Sequence, residues 1–337
     1  MYALVPFVAN STCGKAPVTS PFRRGRYAGR QCQKGRQGCD VMDAGDRPAR
    51  LTVGVLGAGK VGSALGAALA QAGHRIVAAS GVSDNSQRWA ADRLGLTPSR
   101  PDEVVAAAQL ILLTVPDDAL PDLVNGLATT GADLKGKLLV HTSGAYGLSV
   151  LDPAAKAGAL PLALHPVMTF TGRDDDLNKL TGISYGVTAP DPLRPIAEAL
   201  VIEMGGEPVW IADADRALYH AALAGAANHM VTLIAESQDL LARIGVEHPG
   251  RMLGPLLGAA LDNVLRLGIA GLTGPVVRGD AGTVRKHVDA LILAAPEAAD
   301  AYIALARLTA DRALAAGLLK PEEAERLLDA LGGNIWT

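Results

Sequence analysis

The feature that most narrows the fold is the stretch "LTVGVLGAGKVGSALGAALAQAG", residues 51–73. A β-type run, Leu51 to Leu56, passes at once into Gly57-Ala58-Gly59-Lys60-Val61-Gly62, and a helix with Ala64, Ala67, Ala68 and Ala70 on one face follows. A GxGxxG string alone carries little information, but between a strand and a helix each glycine has a mechanical task. Gly57 makes the tight turn, Gly59 lets a pyrophosphate approach the backbone, and Gly62 lets helix and strand pack closely. The helix N-terminus then faces the phosphates. Gly57, Ala58, Gly59, Lys60, Val61 and Gly62 are therefore the predicted dinucleotide-binding turn.

The end of the second strand, "HRIVAAS", selects the nucleotide. A site for NAD places Asp or Glu there to hold the ribose 2′-hydroxyl, whereas this chain offers Ala79-Ser80-Gly81-Val82-Ser83. Ser80 and Ser83 can donate hydrogen bonds and Arg88, on the next helix, can supply charge, so NADP is the expected cofactor. The alternative is that Ser80 is a turn residue only and either nucleotide serves.

Further apolar strands follow, each ending in polar or special-geometry residues. "AQLILLTVPDDAL" ends in Pro116-Asp117, "GKLLVHTSGA" in His141-Thr142-Ser143-Gly144, and "LPLALHPVMTFTG" in His165-Pro166 before a Thr/Gly loop. "GISYGVTAP", a helix near 192–204 and "EPVWIA" complete the pattern. Continuous apolar strands alternating with helical segments predict a parallel sheet covered on both faces. Ligands of such sheets lie at the carboxyl ends of the strands, which puts Pro116, Ser143 and His165 beside a nicotinamide.

From Asp213 onward β signals vanish. One long helix is expected over 216–245, with Asp215 as its cap and Gly245 as its stop. Its middle, Ala221 to Ala227, is so poor in side chains that a helix, the sheet or a ligand is expected to come close. Further helices are read near 251–269, 281–295, 297–316 and 321–331. The interrupting loop "LTGPVVRGDAGTVRKH" holds Thr273, Gly274, Pro275, Arg278, Gly279, Asp280 and Thr283, and Asp280 should cap the next helix. It reads as a functional loop, or else as a long turn with Arg278 in solvent. The fold class is thus α/β: a Rossmann doubly wound parallel sheet over 50–212, followed by an all-α domain over 213–331.

Composition excludes several functions. A net charge of −3 gives no bulk electrostatic reason to bind nucleic acid or an anionic membrane. The three cysteines, Cys13, Cys32 and Cys39, precede the periodic part of the chain, so disulfides and cysteine catalysis drop out for the folded body, and no metal site is read. Residues 1–49 form a basic Gly/Arg/Gln-rich extension expected to be disordered. Ala3 to Ala9 makes a poor signal peptide and is too short to span a bilayer, Met42 is read as the true start, and a cytoplasmic location is expected.

With these residues in hand, the chain resembles the superfamily that includes 6-phosphogluconate dehydrogenase, pyrroline-carboxylate reductase and ketopantoate reductase. More narrowly, "HTSGA", "LHPVMTF", "YHAALAGAANHMVTL" and "LTGPVVRGDAGTVRKH" resemble Rossmann-like bacterial proteins with a C-terminal domain of unknown function 2520. The resemblance spans nearly everything after residue 50 and implies an NADP-dependent oxidoreductase with Ser143, His165, His220, Asn228, Arg278 and Asp280 at its site. Ketopantoate reduction, in pantothenate synthesis, is the favoured activity. There is a departure: ketopantoate reductases carry Lys-x-x-x-Asn on this helix, and if Asn228 is that Asn, the Lys position holds Ala224. The His-Pro pair also resembles the His-Pro-Met of prephenate and arogenate dehydrogenases, in part.

Reducing a 2-oxo acid requires a hydride source beside the carbonyl carbon, a partner for the carboxylate and a proton for the developing alkoxide. His165 and His220 are the candidate proton donors. On a uniform helix His220 and Asn228 stand about 80° apart around the axis and ~12 Å along it, so a substrate could bridge them. Arg278 would meet the carboxylate as a bidentate fork. Pro116 and Ser143 would orient the nicotinamide. Alternatives are a cyclic imine substrate of the pyrroline-carboxylate kind, a deazaflavin-linked reaction, and a non-catalytic NADP-binding protein. The small helical half cannot enclose a site by itself, so a homodimer is expected, one chain's helices covering the other's sheet.

Overall fold

The computed structural model describes residues 50–332, which belong to one compact unit. The predicted extension over 1–49, with its cysteines and Met42, lies outside the described residues. Seven strands form one sheet: β1 (Thr52–Leu56), β2 (Arg75–Ser80), β3 (Leu110–Leu113), β4 (Leu138–His141), β5 (Leu160–Pro166), β6 (Ser184–Thr188) and β7 (Glu207–Trp210), in the order β2-β1-β3-β4-β5-β6-β7. Helices α1 (Lys60–Gln71), α2 (Asp84–Leu94), α3 (Pro101–Ala107), α4 (Leu120–Thr129), α5 (Asp152–Lys156), α6 (Asp175–Lys179) and α7 (Arg194–Glu203) connect them.

The unbroken apolar runs follow from burial on both faces. Along β3, Leu110 and Leu112 enter the core beneath α1 and α7, while Ile111 and Leu113 enter the opposite core beneath α3, α4 and α5. Side chains alternate across a strand, so a strand buried on both faces needs apolar residues at every position. Gly54 on β1 exists for α3: a Cβ there would lie 2.7 Å from Val104 Cγ1.

The sheet departs from the expected parallel pattern at its far side. β1 to β5 are parallel, but β6 pairs antiparallel with β5, and β7 runs with β6. The cause lies in the connection over residues 167–183. Buried Asp176 accepts hydrogen bonds from the Thr171 backbone N–H at 3.0 Å, its hydroxyl at 2.9 Å and the Gly172 N–H at 2.7 Å. Arg93 on α2 donates to the Gly172 carbonyl at 2.6 Å. Moored in this way, the segment crosses no face of the sheet and re-enters at the rim it left.

The helical part comprises α8 (Arg216–Ala224), α9 (Met230–Arg243), α10 (Pro249–Leu267), α11 (Ala281–Ala294), α12 (Pro296–Ala315) and α13 (Pro321–Ala330). The helix expected over 216–245 is interrupted by a π turn, Gly225–His229. Asp215 lies in a 3₁₀ turn and its side chain makes no cap. A π turn spends one residue more than an α turn, so side chains beyond it are rotated back by about 100° relative to a uniform helix. The angle between His220 and Asn228 read from uniform helix geometry therefore does not apply. A third core joins α11, α12 and α13 around Val284, Ile303, Ala310 and Leu327, and α9 and α10 have no buried residue.

Candidate active site

The glycine turn has the geometry its sequence requires. Gly57 sits at φ +96°, where a Cβ would lie 2.8 Å from the Thr114 carbonyl oxygen. At Gly62 a Cβ would be 2.3 Å from both the Gly57 carbonyl oxygen and Thr114 Oγ1, so only glycine lets α1 rest on β1 and β3. Gly59 differs. Nothing approaches its Cβ position nearer than the Gly57 oxygen at 4.0 Å, and its backbone is extended at φ −76°. The space beside it is open, and α1 begins there with no side-chain cap. Unpaired N–H groups at a helix start beside an unfilled glycine suit a pyrophosphate.

At the end of β2, the Ser80 carbonyl accepts from the Gly57 and Ala58 N–H groups at 3.2 and 2.7 Å, fixing the turn to the strand. Ser83 is the N-cap of α2, accepting from the Ser86 N–H at 3.2 Å. Its hydroxyl is thus partly committed to the helix. Residues 79–83 carry no carboxylate, and the first acidic side chain is Asp84 in the opening turn of α2. Pro116 is exposed at the carboxyl end of β3, opening a 3₁₀ turn.

On the same rim, β4 stops at His141 opposite Ala163, so Leu164, His165 and Pro166 of β5 project beyond it. The chain after β4 turns at Ser143-Gly144, and the Ser143 hydroxyl accepts from the N–H groups of Ala145 and Tyr146 at 3.2 and 3.1 Å. α8 lies across this step. The rings of His165 and His220 stand edge to face, 5.8 Å apart, and both crowd Gly144, whose added Cβ would be 2.5 Å from His220 Cδ2 and 2.9 Å from His165 Nε2. Burial, then His220, then Arg216 lower His165 to a pKa of about 4, so it is neutral at physiological pH.

Arg216 holds this corner together. It is 1% exposed and donates to Thr188 Oγ1 at 2.8 Å and to the carbonyls of Ser143, Ala163 and Gly186 at 3.3, 3.1 and 3.0 Å. One guanidinium thereby joins β5, β6, the turn after β4 and α8. No carboxylate is among these partners, although Asp213, three residues earlier in the chain, supports its charge from beyond hydrogen-bond reach. His141, fully buried, shares a hydrogen bond with the Gly147 carbonyl at 3.0 Å and is lowered to a pKa of about 3, by burial above all. Its place is under the turn rather than in the cleft.

The structure thus brings together His165, His220 and the Ser143-Gly144 turn, on the rim that carries the glycine turn and Pro116. Asn228, Arg278 and Asp280 are placed otherwise. Asn228 lies exposed within the π turn, where its backbone carbonyl accepts from Thr232. Arg278 is exposed on a loop whose Val276 and Val277 pack against the α11–α13 core. Asp280 caps α11, accepting from the Thr283 N–H at 3.0 Å and its hydroxyl at 2.7 Å. The neighbour expected against the small residues of 221–227 is not supplied among the described residues, since Ala221, Ala222, Ala226 and Ala227 are exposed. Tyr219 and Arg216 were not singled out from the sequence, although Tyr219 opens the motif that carries His220 and Arg216 starts the same helix. His74 is buried away from this rim, accepting from the Leu51 N–H at 3.1 Å and pairing with Glu203 at 2.8 Å.

Comparison with known proteins agrees with this architecture. Residues 37–166 match the family model of a Rossmann-like domain, and residues 183–309 match the domain of unknown function DUF2520. The second match starts at the edge of β6, so it takes in the reversed strands as well as the helices. No curated protein matches the chain significantly. Among solved structures, a Bacteroides fragilis protein provisionally described as an NADP oxidoreductase is similar over 78% of this chain and 98% of its own, with 21% identity and a TM-score of 0.66. An imine reductase from Pseudomonas sp. is similar over 84% of this chain and 100% of its own, at 22% identity and a TM-score of 0.57. A Plasmodium falciparum pyrroline carboxylate reductase with NADP bound is similar over 77% and 98%, at 15% identity and a TM-score of 0.51.

Proposed function

From a chain that joins a Rossmann-like domain to a DUF2520 domain, we propose an NADPH-dependent reductase of a small 2-oxo acid, with ketopantoate as the favoured substrate. The observation that carries the proposal is the pair of imidazoles meeting over Gly144 on the rim where the glycine turn stands open. Gly57 to Gly62 would hold the pyrophosphate, Ser80 and Ser83 the ribose phosphate, and Pro116 and Ser143 the nicotinamide. When bound, the reduced nucleotide supplies a hydride to the substrate carbon. The carbonyl π pair then moves to oxygen, and a proton reaches that oxygen from the imidazole cleft. His165 and His220 bracket the reacting group. Arg216, a buried cation beneath them with no carboxylate in contact, favours a substrate that carries negative charge.

A second reading, reduction of a cyclic imine, has its own support. A His165 that is neutral at pH 7 is a weak acid, and an iminium substrate arrives already protonated. The fold likeness to imine and pyrroline carboxylate reductases is compatible with it. The deciding experiment measures NADPH and NADH oxidation against ketopantoate, other 2-oxo acids and pyrroline-carboxylate. Turnover of the oxo acids with NADPH supports the first reading, turnover of the imine alone supports the second, and nucleotide binding without turnover overturns both.

The proposal includes a homodimer. Leu256, Leu261, Val264, Leu265 and Leu267 of α10 are 47–77% exposed, and a groove of about 650 Å³ opens between α9, α10 and the loop at 268–273. So large an apolar surface is rare on a monomer. Residues Pro249–Gly271 are long and apolar enough to cross a membrane, with a mean hydropathy of 1.3. Asp262 and Arg266 on that helix, 3.6 Å apart, favour a protein partner over lipid. A second copy would also cover the open Ala221–Ala227 face and bring Asn228, Arg278 and Asp280 to a facing sheet. Light scattering on the purified chain tests this, and a monomer at micromolar concentration would remove it.

A further inference from the structure

His165 has two ring nitrogens, and the structure treats them differently. Nδ1 lies 2.8 Å from the phenol oxygen of Tyr219, while Nε2 lies beside Gly144 and His220 with no hydrogen-bond partner among the described residues. The two rings of His165 and Tyr219 meet edge to face with centroids 5.6 Å apart. Tyr219 is itself seated closely. A Cβ on Gly186 would be 2.6 Å from Tyr219 Cζ, so the glycine opposite His165 in the β5–β6 ladder makes room for the phenol. Arg216 stands 5.8 Å from the centre of the Tyr219 ring.

The direction of the hydrogen bond follows from what each group can accept. The phenol hydrogen needs an acceptor, and among the described residues only Nδ1 lies within reach. Were Nδ1 protonated instead, that hydrogen would be left without a partner in a half-buried site. The charged and titratable groups facing the His165 ring are Arg216, Tyr219 and His220 from α8 and His141 from β4. None is an anion that would draw a second proton onto the ring.

We propose that Tyr219 is a positioning residue that fixes His165 as the neutral tautomer with its hydrogen on Nε2, so that the ring presents an N–H donor to whatever occupies the cleft. The proposal deepens the reductase reading and rests on it for its chemical meaning: His165 polarises the substrate oxygen as a hydrogen-bond donor, and His220 is left as the group to deliver the proton. With Nδ1 taken by the Tyr219 hydroxyl and hydrogen on Nε2, the neutral His165 ring offers the cleft a donor and no acceptor.

Long-range proton–nitrogen correlation spectra of the full-length protein at pH 7, without ligand, report which ring nitrogen carries hydrogen. The His165 signals are assigned by their loss in His165→Gln. The expected result is hydrogen on Nε2 with a preference of at least about fivefold, the worth of one retained hydrogen bond. In Tyr219→Phe, which keeps the ring and removes the hydroxyl, that preference should fall by a similar factor. Hydrogen on Nδ1 in the wild type overturns the proposal, as does an unchanged tautomer ratio in a folded Tyr219→Phe. If that variant does not fold, the wild-type spectrum alone decides. The measurement needs neither nucleotide nor substrate, so a failed substrate screen would sink the reductase reading while leaving the tautomer result standing.

Discussion

Two glycines three residues apart in the same turn should answer alanine in opposite ways. At Gly59 the Cβ position is open, with a single oxygen at 4.0 Å, and the backbone conformation suits any residue. Gly59→Ala should therefore leave the fold intact and its stability within about 1 kcal/mol, the gain through the unfolded chain being offset by alanine's poorer fit at the N-cap of α1. The new methyl would instead occupy the space proposed for the pyrophosphate. Loss of one or two backbone contacts to a phosphate, at about 1.5–3 kcal/mol for a hydrogen bond to a charged group, weakens NADPH by about tenfold to a hundredfold or more. At Gly62 the methyl would stand 2.3 Å from a backbone oxygen and from Thr114 Oγ1, so α1 must move off the sheet. Gly62→Ala should cost about 1–3 kcal/mol of stability, the range for an overfilled core. Urea unfolding and fluorescence titration with NADPH give both quantities for both variants. If Gly59→Ala binds NADPH as tightly as the wild type, the nucleotide does not use this turn, and the reductase reading loses its base.

Gly144→Ala, whose methyl would lie 2.5 Å from His220 Cδ2, should displace the imidazoles and lower kcat at least about tenfold while NADPH affinity stays within about twofold. Normal turnover by that variant would show the two rings to be bystanders. Arg216→Leu strips the carbonyls of Ser143, Ala163 and Gly186 of this donor and, at about 1–3 kcal/mol for each buried acceptor left unsatisfied, should destabilise the protein by at least about 3 kcal/mol, read from the urea midpoint. A loss under about 1 kcal/mol would contradict the role given to it. Stability should also fall with acid. His141 and His165 are depressed to about 3 and about 4, so the unfolded chain takes up their protons first as pH drops below about 6.5. The stability present at pH 7 is lost progressively between about 6.5 and 4, and a flat urea midpoint across that window would refute the neutral burial of both rings.

The sheet was legible because its strands are buried on both faces, and that condition writes itself into the sequence as runs such as Leu110 to Leu113 with nothing polar inside. The glycine turn was legible for a similar reason, since Gly57 and Gly62 each answer a close contact with β1 or the residue that follows β3. Strand direction was not. The reversal of β6 depends on Asp176 and Arg93 mooring the loop around Gly172, and these contacts join residues up to 79 positions apart. The cleft was half visible: His165 and His220 advertise their chemistry by residue type, whereas Arg216 and Tyr219 act through neighbours that no local pattern reveals. Arginine at a helix start reads as a solvated charge, and only the convergence of three carbonyls on it says otherwise. The π turn was hidden because Gly225-Ala226-Ala227 fits a regular helix equally well by propensity.

That turn has a consequence for how such chains vary. Because one surplus residue between α8 and α9 sets the pitch at which the rest of the polypeptide leaves the sheet, deleting Ala226 would act like a quarter-turn of a screw, swinging α9 and everything after it while the nucleotide groove stayed put. Two sequences differing by a single-residue gap there would share the floor of the cleft yet present unlike helical surfaces to their surroundings.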